Sequence, residues 1–267
     1  MNETIAYLGL IEDEAILLDA AAIELAALDH PGVELKPYVA LLNRMVTQLG
    51  SQHGDCDVPR ERAEALSAVI VGHYGFRGDS QHYDDPANAD LIAVMSRRRG
   101  LPVALAILYV ALARRVGWEA QAINMPGHVL VRVGIGTDAV ILDPFNGGEE
   151  VDGRRLAALL ARVLGRGATL LPQHLAPMSN RTVLVRLLLN QATRAAQAGD
   201  TERALALYQR MTLIAPAGSG LWWERVRLEQ ALGRSSDARA SLSAMLEITR
   251  DPDQRTHISA ALDALPR

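Results

Sequence analysis

Apolar positions recur at helical spacing from residue 11 to residue 27. Ile16, Ala20, Ile23 and Ala27 share a face, with Leu17 and Leu28 beside them. Asp29-His30-Pro31-Gly32 supplies turn residues that end this helix. A second helix is predicted over 36–49, with Leu41, Leu42, Met45, Val46 and Leu49 on one side. Gly50 to Asp57 is polar and reads as a loop. Pro59 suits the first turn of a third helix over 59–73. The stretch from Phe76 to Asp90 is too rich in Gly, Asp and Asn to be a core element, and a short helix fits 87–97. From Val103 to Ala113 the chain is apolar nearly all round, which predicts a central, buried helix. Pro102 fits its first turn and Gly117 its stop.

After Gly117 the period changes from 3.6 to 2. Ala120, Ala122 and Asn124 alternate with Gln121, Ile123 and Met125. Val129, Val131 and Val133 alternate with His128, Leu130 and Arg132. Ala139 to Leu142 forms a third short run, closed by Asp143-Pro144, with a turn over 134–138. A buried helix followed by a small antiparallel sheet is an α+β pattern. A helix over 151–164 closes this domain, and Gly165 to Pro177 reads as a connector.

From residue 181 the chain reads as helix, and it repeats. Gly199 and Gly233 stand 34 apart, as do Ala204 and Ala238, and Ala192 and Val226. Pro216 falls at a repeat end, and Trp222 takes an aromatic position near the start of the second repeat. Of the adjacent Trp222 and Trp223, one is expected inside the repeat and the other at the surface. With a final helix over 252–263, this predicts an all-α array over 171–267 behind an α+β domain over 1–170.

Composition narrows the function classes. The 267 residues carry 27 Lys and Arg against 31 Asp and Glu. That balance offers no basic face for nucleic acid. No apolar run reaches the roughly 20 residues needed to span a bilayer, so no membrane partner is expected. The N-terminus lacks a signal-peptide pattern, and the expected location is cytoplasmic. Cys56 is the single cysteine, so no internal disulfide forms. His53, Cys56, His73 and His82 match no standard zinc spacing, so no metal is expected. No cofactor motif is present. Arg97 to Arg99 reads as a solvated edge with one Arg paired to an acid. Gly in Asn146-Gly147-Gly148 allows close backbone approach to a ligand.

Three segments in order carry the candidate chemistry: RRRGLPVALAILYVALARRVG, MPGHVLVRV and ILDPFNGG. Together with YDDPANADL upstream and the repeats downstream, they resemble the SirB-type branch of the transglutaminase-like superfamily, from about residue 12 to about residue 250. The resemblance implies a mostly helical, papain-like domain joined to tetratricopeptide-like repeats. It also implies a site in which a Cys opens the central helix, a His lies on the next strand and an Asp on the strand after. His128 and Asp143 match the last two positions. Fifteen residues separate them, enough for a strand, a turn and a return strand. Pro102 stands in the nucleophile slot, and Leu101, Val103 and Ala104 carry no nucleophilic atom either. Ser96 is the nearest hydroxyl, in a different element. The expectation is a non-catalytic protein with a degenerate triad, binding a protein or peptide through its C-terminal repeats. The alternative is a hydrolase or acyltransferase of peptidase, amidase or transglutaminase type that uses the His/Asp pair.

Overall fold

The structure is a computed structural model and describes residues 3–165 and 167–265. The chain divides into two compact units, one holding Asp13–Leu187 and the other the two ends, up to Glu12 and from Leu188. After a short helix α1 (Glu3–Leu8), the first unit runs α2 (Leu18–Ala27), α3 (Lys36–His53), α4 (Pro59–Ser67), β1 (Arg77–Gly78), α5 (Leu91–Arg97), β2 (Arg99–Gly100) and α6 (Pro102–Arg115). It continues through β3 (Ala120–Met125), β4 (His128–Val133), β5 (Val140–Asp143), β6 (Glu149–Glu150) and α7 (Gly153–Leu164) to the start of α8 (Asn180–Gln197).

α6 is the axis of this unit. Every residue from Pro102 to Ala113 is buried, as its unbroken apolar sequence requires. It packs on β3 and β4 and against α2, α3 and α4. β3 to β6 form one antiparallel sheet in chain order, while β1 and β2 pair in parallel, Arg77 beside Arg99 and Gly78 beside Gly100.

Several expectations need correction. The helix expected over 11–27 begins at Leu18 rather than near residue 11. Asp13 is engaged elsewhere: its carboxylate accepts from the backbone amides of Asn180 (2.7 Å) and Arg181 (2.9 Å), capping the start of α8. α3 runs on to His53, so Gly50–His53 is helix, with fully buried Leu49 anchoring its last turns. The polar stretch from Phe76 to Asp90 does enter the core. Phe76, Asp79, Asn88 and Ala89 are all buried. Asp79 and the Asn88 amide nitrogen are hydrogen-bonded, as buried polar groups usually are, while Asn88 Oδ1 has no partner among the described residues. Asn88 donates to the His82 carbonyl (2.7 Å), and Asp79 accepts from the His82 amide (3.0 Å) and Arg97 (3.1 Å). The segment expected as a free connector lies on the sheet. Ala168, Leu170 and Leu175 pack on the cluster of Ile123, Met125, Leu156 and Leu160, and the Met178 amide bonds the Ala122 carbonyl (2.8 Å). The compact division of the chain falls at 187/188.

The second unit takes the remainder of α8, then α9 (Thr201–Ile214), α10 (Ser219–Ala231), α11 (Ser235–Ile248) and α12 (Pro252–Ala264). α9 and α11 begin and end 34 residues apart, the period read from the sequence. Gly199 and Gly233 both turn the chain at positive φ, +75° and +71°, two residues after a helix end. α9 packs on α10, α10 on α11 and α11 on α12. Trp222 is buried and donates to the Pro216 carbonyl (2.8 Å), whereas Trp223 is half-buried against the His257 ring of α12. α1 packs on α9, where Gly9 meets the Leu213 carbonyl so closely that no side chain fits. No helix among the described residues is long and apolar enough to cross a membrane.

Candidate functional site

The site is built on the β3–β4 hairpin. Met125 and His128 pair across a two-residue turn, Pro126-Gly127. Pro presets the first turn position and Gly127 takes φ +72° at the second, the requirement of a type II turn. A Cβ on Gly127 would stand 2.5 Å from Val163, so a glycine lets the end of α7 lie against the turn. His128 is thereby the first residue of its strand, beside α7.

Asp143 ends β5 and is completely buried. Its Oδ1 accepts from His128 Nε2 (2.8 Å), the Phe145 amide (3.1 Å) and the Asn146 amide (3.2 Å). Its Oδ2 accepts from Asn146 Nδ2 (2.7 Å). Burial pushes the carboxyl up, but the His128 hydrogen bond and charge and the Asn146 donors outweigh it and hold it below its ordinary value. An ionised Asp143 accepts only, so Nε2 carries the proton. In the neutral form of the ring, Nδ1 is then the acceptor. Nδ1 makes no hydrogen bond among the described residues. The Phe145 ring stands edge-on to the imidazole, with centroids 6.2 Å apart.

A cavity of about 430 Å³ opens beside His128. Tyr83, Phe145, Pro126, Leu159 and Val163 give it apolar walls. Ser80, Asn146 and Arg162 add polar groups. Pro102 does not line it. As the first residue of α6 it costs no hydrogen bond, because that amide has no helical partner, and it is buried among Leu101, Val103 and Ala104. Ser96 donates to the Ile92 carbonyl (2.9 Å) within α5. Cys56 lies between α3 and α4, also away from the cavity. Burial and neighbouring Glu61 push its thiol above the ordinary value. Ser80 is the hydroxyl that the sequence reading missed. No hydrogen bond joins it to His128 among the described residues.

The Arg run is structural. Arg97 bridges Asp79 and Asp85, both at 3.1 Å, and Arg98 caps α5 with its guanidinium over the Phe76 ring. Arg99 donates to the Gly75 carbonyl (3.3 Å). The glycine pair also serves the fold. A Cβ on Gly148 would overlap the Tyr109 hydroxyl and Ser67, so the close approach expected toward a ligand is made to the central helix instead. The Tyr109 hydroxyl is buried beside Ser67, and burial pushes its pKa up. Among the described residues no group of three or more His, Cys, Asp or Glu side chains is placed to hold a metal.

Residues 36–189 match the family model described as the transglutaminase-like superfamily. The chain is 29% identical over 244 residues to a UPF0162 protein of Xylella fastidiosa, covering 90% of this chain and 87% of that one. It is 29% identical over 270 residues to a UPF0162 protein of Pseudomonas aeruginosa, covering 99% and 97%. Among solved structures, the crystal structure of menin aligns over 97% of this chain and 74% of that one, with a TM-score of 0.43 and 12% identity. A likeness that distant carries no argument here.

Proposed function

Because the chain belongs to the transglutaminase-like superfamily, with more than half its length inside the family match, we propose that it is a non-catalytic member acting as a protein-interaction or regulatory module through tetratricopeptide-like repeats. The observation that carries this reading is the apolar, buried start of α6. A thiolate needs a helix N-terminus, a neighbouring imidazole and access to substrate. Here Leu101, Pro102, Val103 and Ala104 offer no nucleophilic atom and no opening. His128 and Asp143 persist because they satisfy each other and the turn after β5, as buried polar groups must. The 34-residue period of α8 to α11 supports the repeat assignment, since paired helices stacked at that period offer a groove for a peptide or helix.

A photo-crosslinking residue at Gln230 or Arg227, both exposed on α10, tests the binding role, with exposed Arg154 on α7 as control. In a lysate of the native host, the α10 positions are expected to capture one reproducible partner that the α7 position does not. Equal capture at all three positions, or none on the array, would sink the reading. The hydrolase or acyltransferase alternative predicts instead that a peptide amide incubated with the chain is cleaved or transferred to an amine.

A further inference from the structure

We propose that the cavity beside His128 is a receptor for the C-terminus of a peptide whose last side chain is apolar. The inference rests on the non-catalytic reading, in that His128 binds its ligand without activating a nucleophile.

Three features of the cavity converge on that chemistry. The first is charge. Arg162, in the last turn of α7, reaches the cavity with no hydrogen-bond or ion-pair partner among the described residues. Among the described residues no Asp or Glu lines the cavity. Acids on the neighbouring segments are engaged: Asp79 and Asp85 pair with Arg97, Glu149 with Arg155, Glu150 with Arg60, and Asp143 with His128. An unpaired guanidinium in an acid-free lining favours a carboxylate, which it can hold through two parallel hydrogen bonds.

The second feature is the bare Nδ1 of His128. With Nε2–H committed to Asp143, the neutral imidazole turns an acceptor toward the cavity. In that form Nδ1 asks for an N–H donor. A C-terminal residue supplies both groups on one α-carbon: a backbone N–H for Nδ1 and a carboxylate for Arg162.

The third is the wall. Tyr83 and Phe145 stand edge-to-face with centroids 5.6 Å apart, and Leu159 and Val163 add aliphatic surface. Tyr83 is 41% exposed and Val163 53%. Apolar side chains left open around a few placed polar groups are the usual composition of a ligand site, and about 430 Å³ falls in the usual size range.

The test uses N-terminally fluorescein-labelled pentapeptides, Gly-Gly-Ala-Ala-Leu and Gly-Gly-Ala-Ala-Asp, each as free acid and as C-terminal amide. Fluorescence anisotropy with the full chain reads binding, and mass spectrometry reads the peptide afterwards. The Leu acid is expected to bind at least about tenfold tighter than its amide and than the Asp peptide. Arg162→Gln is expected to erase the acid-over-amide preference. Arg162 is exposed and makes no pair among the described residues, so folding is not at stake; thermal melting checks this directly. No binding of the Leu acid up to 1 mM, equal binding of acid and amide, or an unchanged preference in Arg162→Gln overturns the inference. Cleavage or covalent capture of the peptide overturns the non-catalytic reading instead.

Discussion

The two sides of the site are built from opposite materials. On the helix side, Leu101, Pro102, Val103 and Ala104 are apolar, buried and closed. On the strand side, His128 and Asp143 are polar and bonded, next to an open cavity. A thiol-based acyl transferase needs polarity and access on both sides at once. On the proposed non-catalytic reading, the contrast accounts for a site kept on the strand side alone. Asp143 serves three donors of the turn after β5 in addition to His128, so the fold needs it whatever the chemistry. Pro102 serves helix geometry and packing only. A His/Asp pair in this setting marks a buried turn as much as an active site.

The sharpest way to break that comparison is to remove Asp143. Asp143→Ala leaves buried donors of Phe145, Asn146 and His128 without an acceptor. A loss of about 3–5 kcal/mol is expected, since each buried donor left without an acceptor costs about 1–3 kcal/mol. Urea unfolding of the full chain, followed with a probe in the first unit, measures it. A loss below about 1 kcal/mol would mean that the carboxylate is not kept for structure.

Next in size is the glycine pair. Gly148→Ala drives a Cβ into the Tyr109 hydroxyl and Ser67 at a positive φ of +71°, and should cost about 3 kcal/mol. Gly147→Ala has nothing within 4 Å and pays only for its φ of +76°, about 1 kcal/mol. Comparable melting temperatures for the two variants would refute the close approach.

Asn146→Ala removes one donor to a charged carboxylate, a change of about 1.5–3 kcal/mol at pH 7. The folded Asp143 carboxyl lies below its ordinary value, so this stability is complete above the unfolded carboxylate range. It is lost as pH falls through the folded value. The gap between wild type and Asn146→Ala should therefore shrink below about pH 4. A gap that stays constant to pH 2 would remove Asp143 as the acceptor that matters.

The smallest effect concerns reactivity. Pro102→Cys sets a thiol in the closed apolar region, and it should react with iodoacetamide more slowly than the half-buried Cys56. Faster labelling at position 102 would show that the helix side is open after all.

Much of this contrast was legible in the sequence. Unbroken apolar residues from Val103 to Ala113 dictate burial, and the change of period after Gly117 dictates strands. The spacing of His128 and Asp143 then suffices to bring them together. What was not legible depends on partners remote in the chain. Asp13 looks like the first turn of a helix, but it caps another helix 167 residues away. Asp79 and Asn88 look solvated by composition, and only their hydrogen bonds explain their burial. Gly148 looks like a ligand contact until Tyr109 is seen against it. Ser80 and Arg162 carry no local signal at all, since only the fold brings them to one cavity.

In the proposed role His128 activates no nucleophile. Peptide-resolved mass spectrometry tests it most directly, after exposure of wild type and His128→Ala to iodoacetamide and to a hydroxyl-directed fluorophosphonate. The account predicts slow alkylation at Cys56, equal in both proteins, and no modified Ser or Thr. Modification of any Cys, Ser or Thr that disappears in His128→Ala would contradict it.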